Sequence, residues 1–263
     1  MPNTSIQNLN QKSLSWLQSQ LGEFKQITPL THNHTNQCFI AYPKHHPAVF
    51  IKQLNSKILS TNSFKNERTS RHWAQQITPK ITPNTLYENA QLGLIIDELV
   101  SSRNTSPTIS DLVSLMSQLH QQNLPINSNI IRQQIFNDIQ NLLAALKLPE
   151  YSFKSLLTQA KQLDESQQAC CICHGDLSFE NILIGEQPYL IDWEYARVAE
   201  PAYDLAASIL INNLNSNLQQ QLITKYCQHN PQPEQNILNR VQQYLKVLKP
   251  LNQLWFTHQH QLQ

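Results

Sequence analysis

The sequence predicts an α+β protein in two parts: a small antiparallel sheet carrying one helix, then a mainly helical remainder. Three observations carry this. Short apolar runs bounded by turn residues crowd the stretch 37–97, with a single helical pattern among them. A polar connection rich in Ser, Thr and Asn follows at 101–110. Beyond it, apolar residues recur at helical spacing to the end, interrupted once around 171–191. The expected division is therefore 1–100 and 101–263.

Taken in order, Ile6, Leu9, Leu14, Trp16, Leu17 and Leu21 recur at helical spacing and predict an opening helix over 6–21. Strands are expected at 37–42 and 48–54, joined by a turn containing Pro43 and Pro47. Residues 60–77 read as a helix that stops before Thr78 and Pro79. Two more short strands follow at 85–88 and 92–97. In the second part Leu112, Leu115, Met116 and Leu119 follow the i, i+3, i+4, i+7 pattern of an amphipathic helix. Further helices are expected at 128–147 and 151–167. Short strands are expected before His174, at 182–184 and at 189–191. Helices return after Pro201, with Pro231, Pro233 and Pro250 as breakers.

Composition narrows the function classes. The 263 residues carry a formal net charge of +1, which offers no electrostatic footprint for nucleic acid or an anionic membrane surface. Residues 1–21 lack a basic start followed by an apolar block. No window approaches the roughly 18 uninterrupted apolar residues of a membrane span. A soluble cytoplasmic protein with no membrane association is expected, and its five cysteines then read as free thiols. Cys170, Cys173 and His174 fit the c-type haem attachment spacing. The alternative is an apolar strand, ACCIC, whose cysteines act as small buried hydrophobes. The missing export signal favours the strand, with haem or zinc as the competing readings.

The chemistry concentrates in CHGDLSFENILIGEQPYLIDWE, residues 173–194. Phosphoryl transfer needs a carboxylate beside the attacking hydroxyl and further oxygen ligands for Mg²⁺. Asp176 is the candidate base. Asn181, five residues on, and Asp192, behind the apolar run Tyr189, Leu190 and Ile191, offer hard oxygen donors for the metal. Glu194 either reaches a metal or the substrate, or lies on the loop surface. His174 is expected to pack and hydrogen-bond, since Asp176 already fills the proton-accepting role.

HGDLSFEN followed by IDWEYA resembles the aminoglycoside phosphotransferase and choline kinase superfamily, closest to its choline kinase and thiamine kinase branches. The resemblance implies a two-lobed protein-kinase-like fold with ATP bound in a cleft between the lobes. It also implies a strand lysine paired to a glutamate on the next helix, for which Lys52 in VFIKQL and Glu67 in FKNERTS stand in matching places. Asp204 in AYDLA would brace the catalytic loop through its backbone. Residues 94–100 would form the hinge, with backbone groups of Asp97, Glu98 or Leu99 reaching the adenine. One departure is the first hairpin turn, 30–36: none of the four glycines lies there, and Thr35 and Asn36 either contact the phosphates or sit on a solvated loop.

The resemblance implies a small cationic alcohol as substrate. Aminoglycosides call for several carboxylates in the C-terminal helices, but after Asp204 the only acid is Glu234. A single quaternary or thiazolium charge can instead be held on aromatic faces. Trp193, Tyr195, Tyr203, Tyr244, Trp255 and Phe256 are the candidates, with Trp193 facing either cleft or core. Thiamine, choline and ethanolamine are the expected substrates, thiamine slightly first. Amino sugars or aminoglycosides, and a kinase-like binding protein without catalysis, are the alternatives.

Overall fold

The computed structural model describes residues 9–30, 36–54, 61–103, 105–124, 129–168 and 170–262. The chain divides into two compact units, Met1–Asn104 with Leu183–Glu194, and Thr105–Ile182 with Tyr195–Gln263. Among the described residues no helix is long and apolar enough to cross a membrane.

The first unit opens with helix α1 (Gln11–Leu21), whose start is capped by the Asn10 side chain accepting from the Ser13 amide at 2.8 Å. Strands β1 (Phe24–Leu30), β2 (Gln37–Pro43), β3 (Val49–Gln53), β4 (Thr85–Asn89) and β5 (Leu94–Glu98) form an antiparallel sheet in the order β1-β2-β3-β5-β4. Helix α2 (Thr61–Ala74) lies between β3 and β4 in sequence. The two-residue strand period sorts the sheet faces. Ile51 and Ile96, paired in register, join Leu17, Leu21, Ile27 and Phe39 in the core under α1. Lys52 and Ile95, the next pair, face the other way, where Ile95 packs with Leu54 and with Phe64 of α2. This alternation turns Lys52 towards α2.

The sheet begins one strand earlier than the sequence reading. In β1 only Ile27 is buried and Pro29 interrupts the donors, which an edge strand tolerates. The segment Leu183–Glu194, sequence-distant from this sheet, belongs to the first unit through backbone and side-chain bonds. The Leu190 amide donates to the Ile81 carbonyl at 2.6 Å, and the Trp193 indole N–H donates to Thr82 Oγ1 at 3.0 Å. It carries most of β7 (Ile182–Ile184), which pairs with β8 (Pro188–Leu190).

The second unit contains α3 (Ile109–His120), α4 (Ile135–Ala145), α5 (Lys154–Glu165), α6 (Pro201–Ile211), α7 (Ser216–His229) and α8 (Glu234–Leu262). Strand β6 (Cys171–Cys173) pairs antiparallel with β9 (Arg197–Ala199), a three-residue strand too short to signal itself in the sequence. A reciprocal box between Thr108 and Asp111 starts α3. The start of α4 is capped from α5, Asp164 accepting from the Ile135 and Phe136 amides at 3.0 and 2.9 Å. One expectation is corrected: Pro250 does not break the last helix but sits inside α8. Val241, Tyr244, Val247 and Leu248 before it and Leu254 after it are all buried. That packing offsets the one amide donor the proline removes.

Candidate active site

In the first unit, Lys52 is the centre of a buried charge cluster. Its ammonium lies 3.0 Å from Glu67 Oε1 and 2.6 Å from Asp192 Oδ1, and the side chain is 7% exposed. Burial opposes the charge on Lys52, but Glu67, Asp192 and Glu194 together outweigh it and raise its pKa. Asp192 adopts a left-handed conformation at φ +67°, uncommon for a side-chain-bearing residue though less so for Asp and Asn. Carboxylate oxygens of Glu67, Asp192 and Glu194 lie within 4.8 Å of one another. Burial, then the charge of Asp192, pushes the Glu194 carboxyl up to about 7, with Lys52 pulling the other way. Asn36 Nδ2 approaches Glu194 Oε2 at 3.4 Å, and Asn66 Nδ2 approaches the Glu194 carbonyl at the same distance. Sequence reasoning missed Asn66 and Thr82, whose roles depend on contacts more than a hundred residues away. Thr35 lies outside the described residues.

In the second unit, the loop after β6 is fastened from one face of α6. Asp204, fully buried, accepts from the His174 and Gly175 amides, each at 2.8 Å, and lies 3.1 Å from His120 Nε2. Ser208 and Asn212 follow at helical spacing and donate to the Leu177 carbonyl at 3.1 and 2.9 Å. Asn212 also accepts from the Phe179 amide at 2.7 Å. Sequence reasoning missed Ser208 and Asn212, although the i, i+4, i+8 series from Asp204 was the available signal. Gly175 has φ +80°, and a Cβ there would meet the Tyr195 carbonyl oxygen at 2.3 Å. His174 is buried, and its Nδ1 accepts from the Asp176 amide at 3.3 Å. Asn181 gives its amide hydrogens to Asp176, at 3.0 Å to the carbonyl and 2.8 Å to Oδ2. The Asn181 amide oxygen is then the atom suited to a hard cation.

Three of the expected aromatic residues are engaged within the protein itself. Trp193 is 1% exposed with its N–H committed to Thr82, which makes it a core residue. Tyr203 is buried with the Arg197 guanidinium 5.3 Å from its ring, and Arg240 lies 5.2 Å from the ring of Tyr244. Both tyrosine faces are thus covered by the protein's own cations. Tyr195 is half-buried, and Trp255 stacks edge-on with the exposed Phe256 at 5.2 Å. The Glu98 carboxylate bonds Lys80 and Asn84, and its amide donates to the Asn84 carbonyl at 2.9 Å, so that amide is unavailable to a ligand. None of the five cysteines forms a disulfide. His120, Cys171 and Cys173 lie together, but each has partners already. Tyr226 and Asp204 hold the two ring nitrogens, and the Ala199 and Glu200 carbonyls accept from the two thiols. That is a satisfied buried network on a strand.

Residues 104–235, half of the chain, match the phosphotransferase enzyme family, and the chain belongs to that family. Protein LicA of Haemophilus influenzae is 25% identical over 168 residues, 58% of this chain and 60% of that protein. The chain therefore spans about three fifths of the length of that curated relative. Choline kinase LicA from Streptococcus pneumoniae superposes with a TM-score of 0.73 at 18% identity, covering 95% of this chain and 91% of that one. A choline/ethanolamine kinase family protein from Mesorhizobium loti gives 0.70 at 19% identity, covering 92% and 84%. These likenesses establish a kinase-like fold, antiparallel sheet and helical part alike.

Proposed function

We propose that this phosphotransferase is a kinase that moves the γ-phosphoryl group of ATP to the hydroxyl of a small cationic alcohol, choline or ethanolamine first and thiamine second. The observation that carries the reading is the Lys52 ammonium held between Glu67 and Asp192. A lysine so fixed, with its carboxylate partner on the following helix, is the arrangement by which kinases hold the α- and β-phosphates. Asp176 would accept or orient the substrate hydroxyl proton, with His174 and Asp204 setting its loop. Asn181, Asp192 and Glu194 carry the hard oxygens that suit magnesium, which would neutralise charge on the phosphates. Asp97, Glu98 (by its carbonyl) and Leu99 remain the backbone candidates for adenine, and Asn36 a candidate beside the phosphates.

The acid distribution supports a single-charge substrate over an aminoglycoside. Glu234 is engaged by Gln220 and Thr224, Glu200 by Arg240, and Asp138 by Arg197. With Tyr203 and Tyr244 covered, Tyr195, Trp255 and Phe256 remain the aromatic candidates for a cation. The test is phosphate transfer by purified protein with Mg-ATP across choline, ethanolamine, thiamine, amino sugars and aminoglycosides. Turnover on one of the first three, lost in Asp176→Asn, is expected. No turnover on any, or activity that survives the substitution, overturns catalysis and leaves a kinase-like binding protein.

A further inference from the structure

Beside Glu67 lies a second buried ionic cluster that the phosphoryl-transfer reading does not use. Arg71 follows Glu67 by one helical turn on α2, and its side chain is 4% exposed. Its Nη1 is 4.0 Å from Glu67 Oε1 and 3.7 Å from Asp97 Oδ2, while Nη2 is 3.9 Å from Glu88 Oε2. Asp97 comes from β5 and Glu88 from β4, so one guanidinium faces three carboxylates from three elements. Glu88 also meets Arg68, and His72 at 3.3 Å.

The spacing is the informative feature. A committed arginine–carboxylate pair closes to about 2.8 Å, often through two parallel bonds. Here all three distances exceed hydrogen-bond length, and Arg71 Nε and Nη2, Glu67 Oε2, Glu88 Oε2 and Asp97 Oδ1 are buried without a hydrogen-bond partner among the described residues. Unmade bonds of this kind are costly, so an ordinary structural clamp would have closed. The guanidinium is instead balanced among its acids. Glu88 and Asp97 draw it away from Glu67, and Glu67 Oε1 stays with Lys52 at 3.0 Å.

We propose that Arg71 is a positioning residue for the nucleotide lysine: it keeps Glu67 turned to Lys52 without taking the carboxylate for itself. The proposal rests on the reading of Lys52 as the phosphate-binding lysine. If Glu67 were drawn onto Arg71, nothing on α2 would balance the pull on the Lys52 ammonium of Asp192, already the nearer carboxylate at 2.6 Å against 3.0 Å for Glu67. Lysine and aspartate would then hold each other rather than phosphate and metal. Two features of Arg71 matter here, charge and the fork that spreads it over three acids, and lysine supplies only the first.

Steady-state kinetics with separate variation of ATP and acceptor test this. Arg71→Met is expected to raise KM for ATP about tenfold while the acceptor KM stays within about twofold, and Arg71→Lys to recover part of that loss. In a Glu67→Gln background Arg71→Met should add less than about twofold, because the path through Glu67 is already cut. A purely structural role would lower thermal stability without separating the two KM values. Arg71→Met that folds by circular dichroism, yet leaves KM for ATP unchanged while Lys52→Met raises it, overturns the proposal and spares the Lys52 reading. An undiminished effect in the Glu67→Gln background also overturns it. Lys52→Met with unchanged KM for ATP overturns both. Should Arg71→Met not fold, Glu88→Gln takes its place. It keeps side-chain volume but frees the guanidinium to close on Glu67, so a raised KM for ATP supports the proposal and an unchanged one refutes it.

Discussion

Asp192 Oδ1 lies 2.6 Å from Lys52 Nζ across 140 positions of sequence, inside one compact unit. The lysine is thereby shared between a carboxylate on the adjacent helix and one on a distant segment of the same unit. Its removal strands two acids at once. Lys52→Met should destabilise the protein by about 3–5 kcal/mol, the usual cost of leaving a buried charge without its partner. It should also lower kcat/KM by at least about a hundredfold. Urea denaturation and steady-state kinetics check the two effects, and an unchanged midpoint would mean that Glu67 and Asp192 find other partners.

Gly175 should tolerate no side chain. At φ +80° with the Tyr195 carbonyl 2.3 Å from the position of a Cβ, Gly175→Ala must move backbone rather than a flexible side chain. A loss of about 2 kcal/mol or more is expected, together with most of the activity, since Asp176 follows directly. Gly22→Ala is the control. Its φ is +73° but nothing lies within 4 Å of the added carbon, so only the backbone strain of about 1 kcal/mol should appear and activity should persist. Equal losses in the two variants would show that the Tyr195 contact is immaterial.

Asp204→Ala removes the acceptor for two backbone amides and a partner of His120. The expected cost is about 3–5 kcal/mol. Asp204→Asn keeps one acceptor oxygen and should recover part of it. Hydrogen exchange at the His174 and Gly175 amides reads this directly. Unchanged protection of those two amides in Asp204→Ala would contradict the bracing role.

The parts of this molecule legible in the sequence are those set by short-range spacing. HGD with an asparagine five residues beyond the aspartate, and a lysine on the far face of an alternating strand, need only local geometry to be recognised. Membership of Leu183–Glu194 in the first unit was not legible, because it depends on backbone bonds to Ile81 and a side-chain bond to Thr82 that no local pattern encodes. The covering of Tyr203 by Arg197 was hidden for the same reason. Arg240 over Tyr244, by contrast, is an i, i+4 pair on one helix and was available to a reading that treated arginine as a competitor for aromatic faces. Pro250 shows the opposite failure: a local rule, correct in isolation, lost to burial on both sides of it.

The ionisation of Glu194 gives a pH dependence whose sign is opposite to that of most carboxylates. Its folded-state pKa of about 7 stands above the ordinary value of 4.5, so between these two values the folded protein holds a proton that the unfolded chain has released. Stability from this group is therefore full below about pH 4.5 and declines as pH rises through 7. Glu194→Gln cannot ionise and lacks that decline. In metal-free buffer the variant should gain on the wild type as pH goes from 5 to 8, by on the order of 2 kcal/mol at the upper end. Urea unfolding of both proteins across that range measures the difference. A gap that stays constant with pH, or narrows, would mean that Lys52 and Asn36 keep Glu194 ionised throughout and that burial does not govern it.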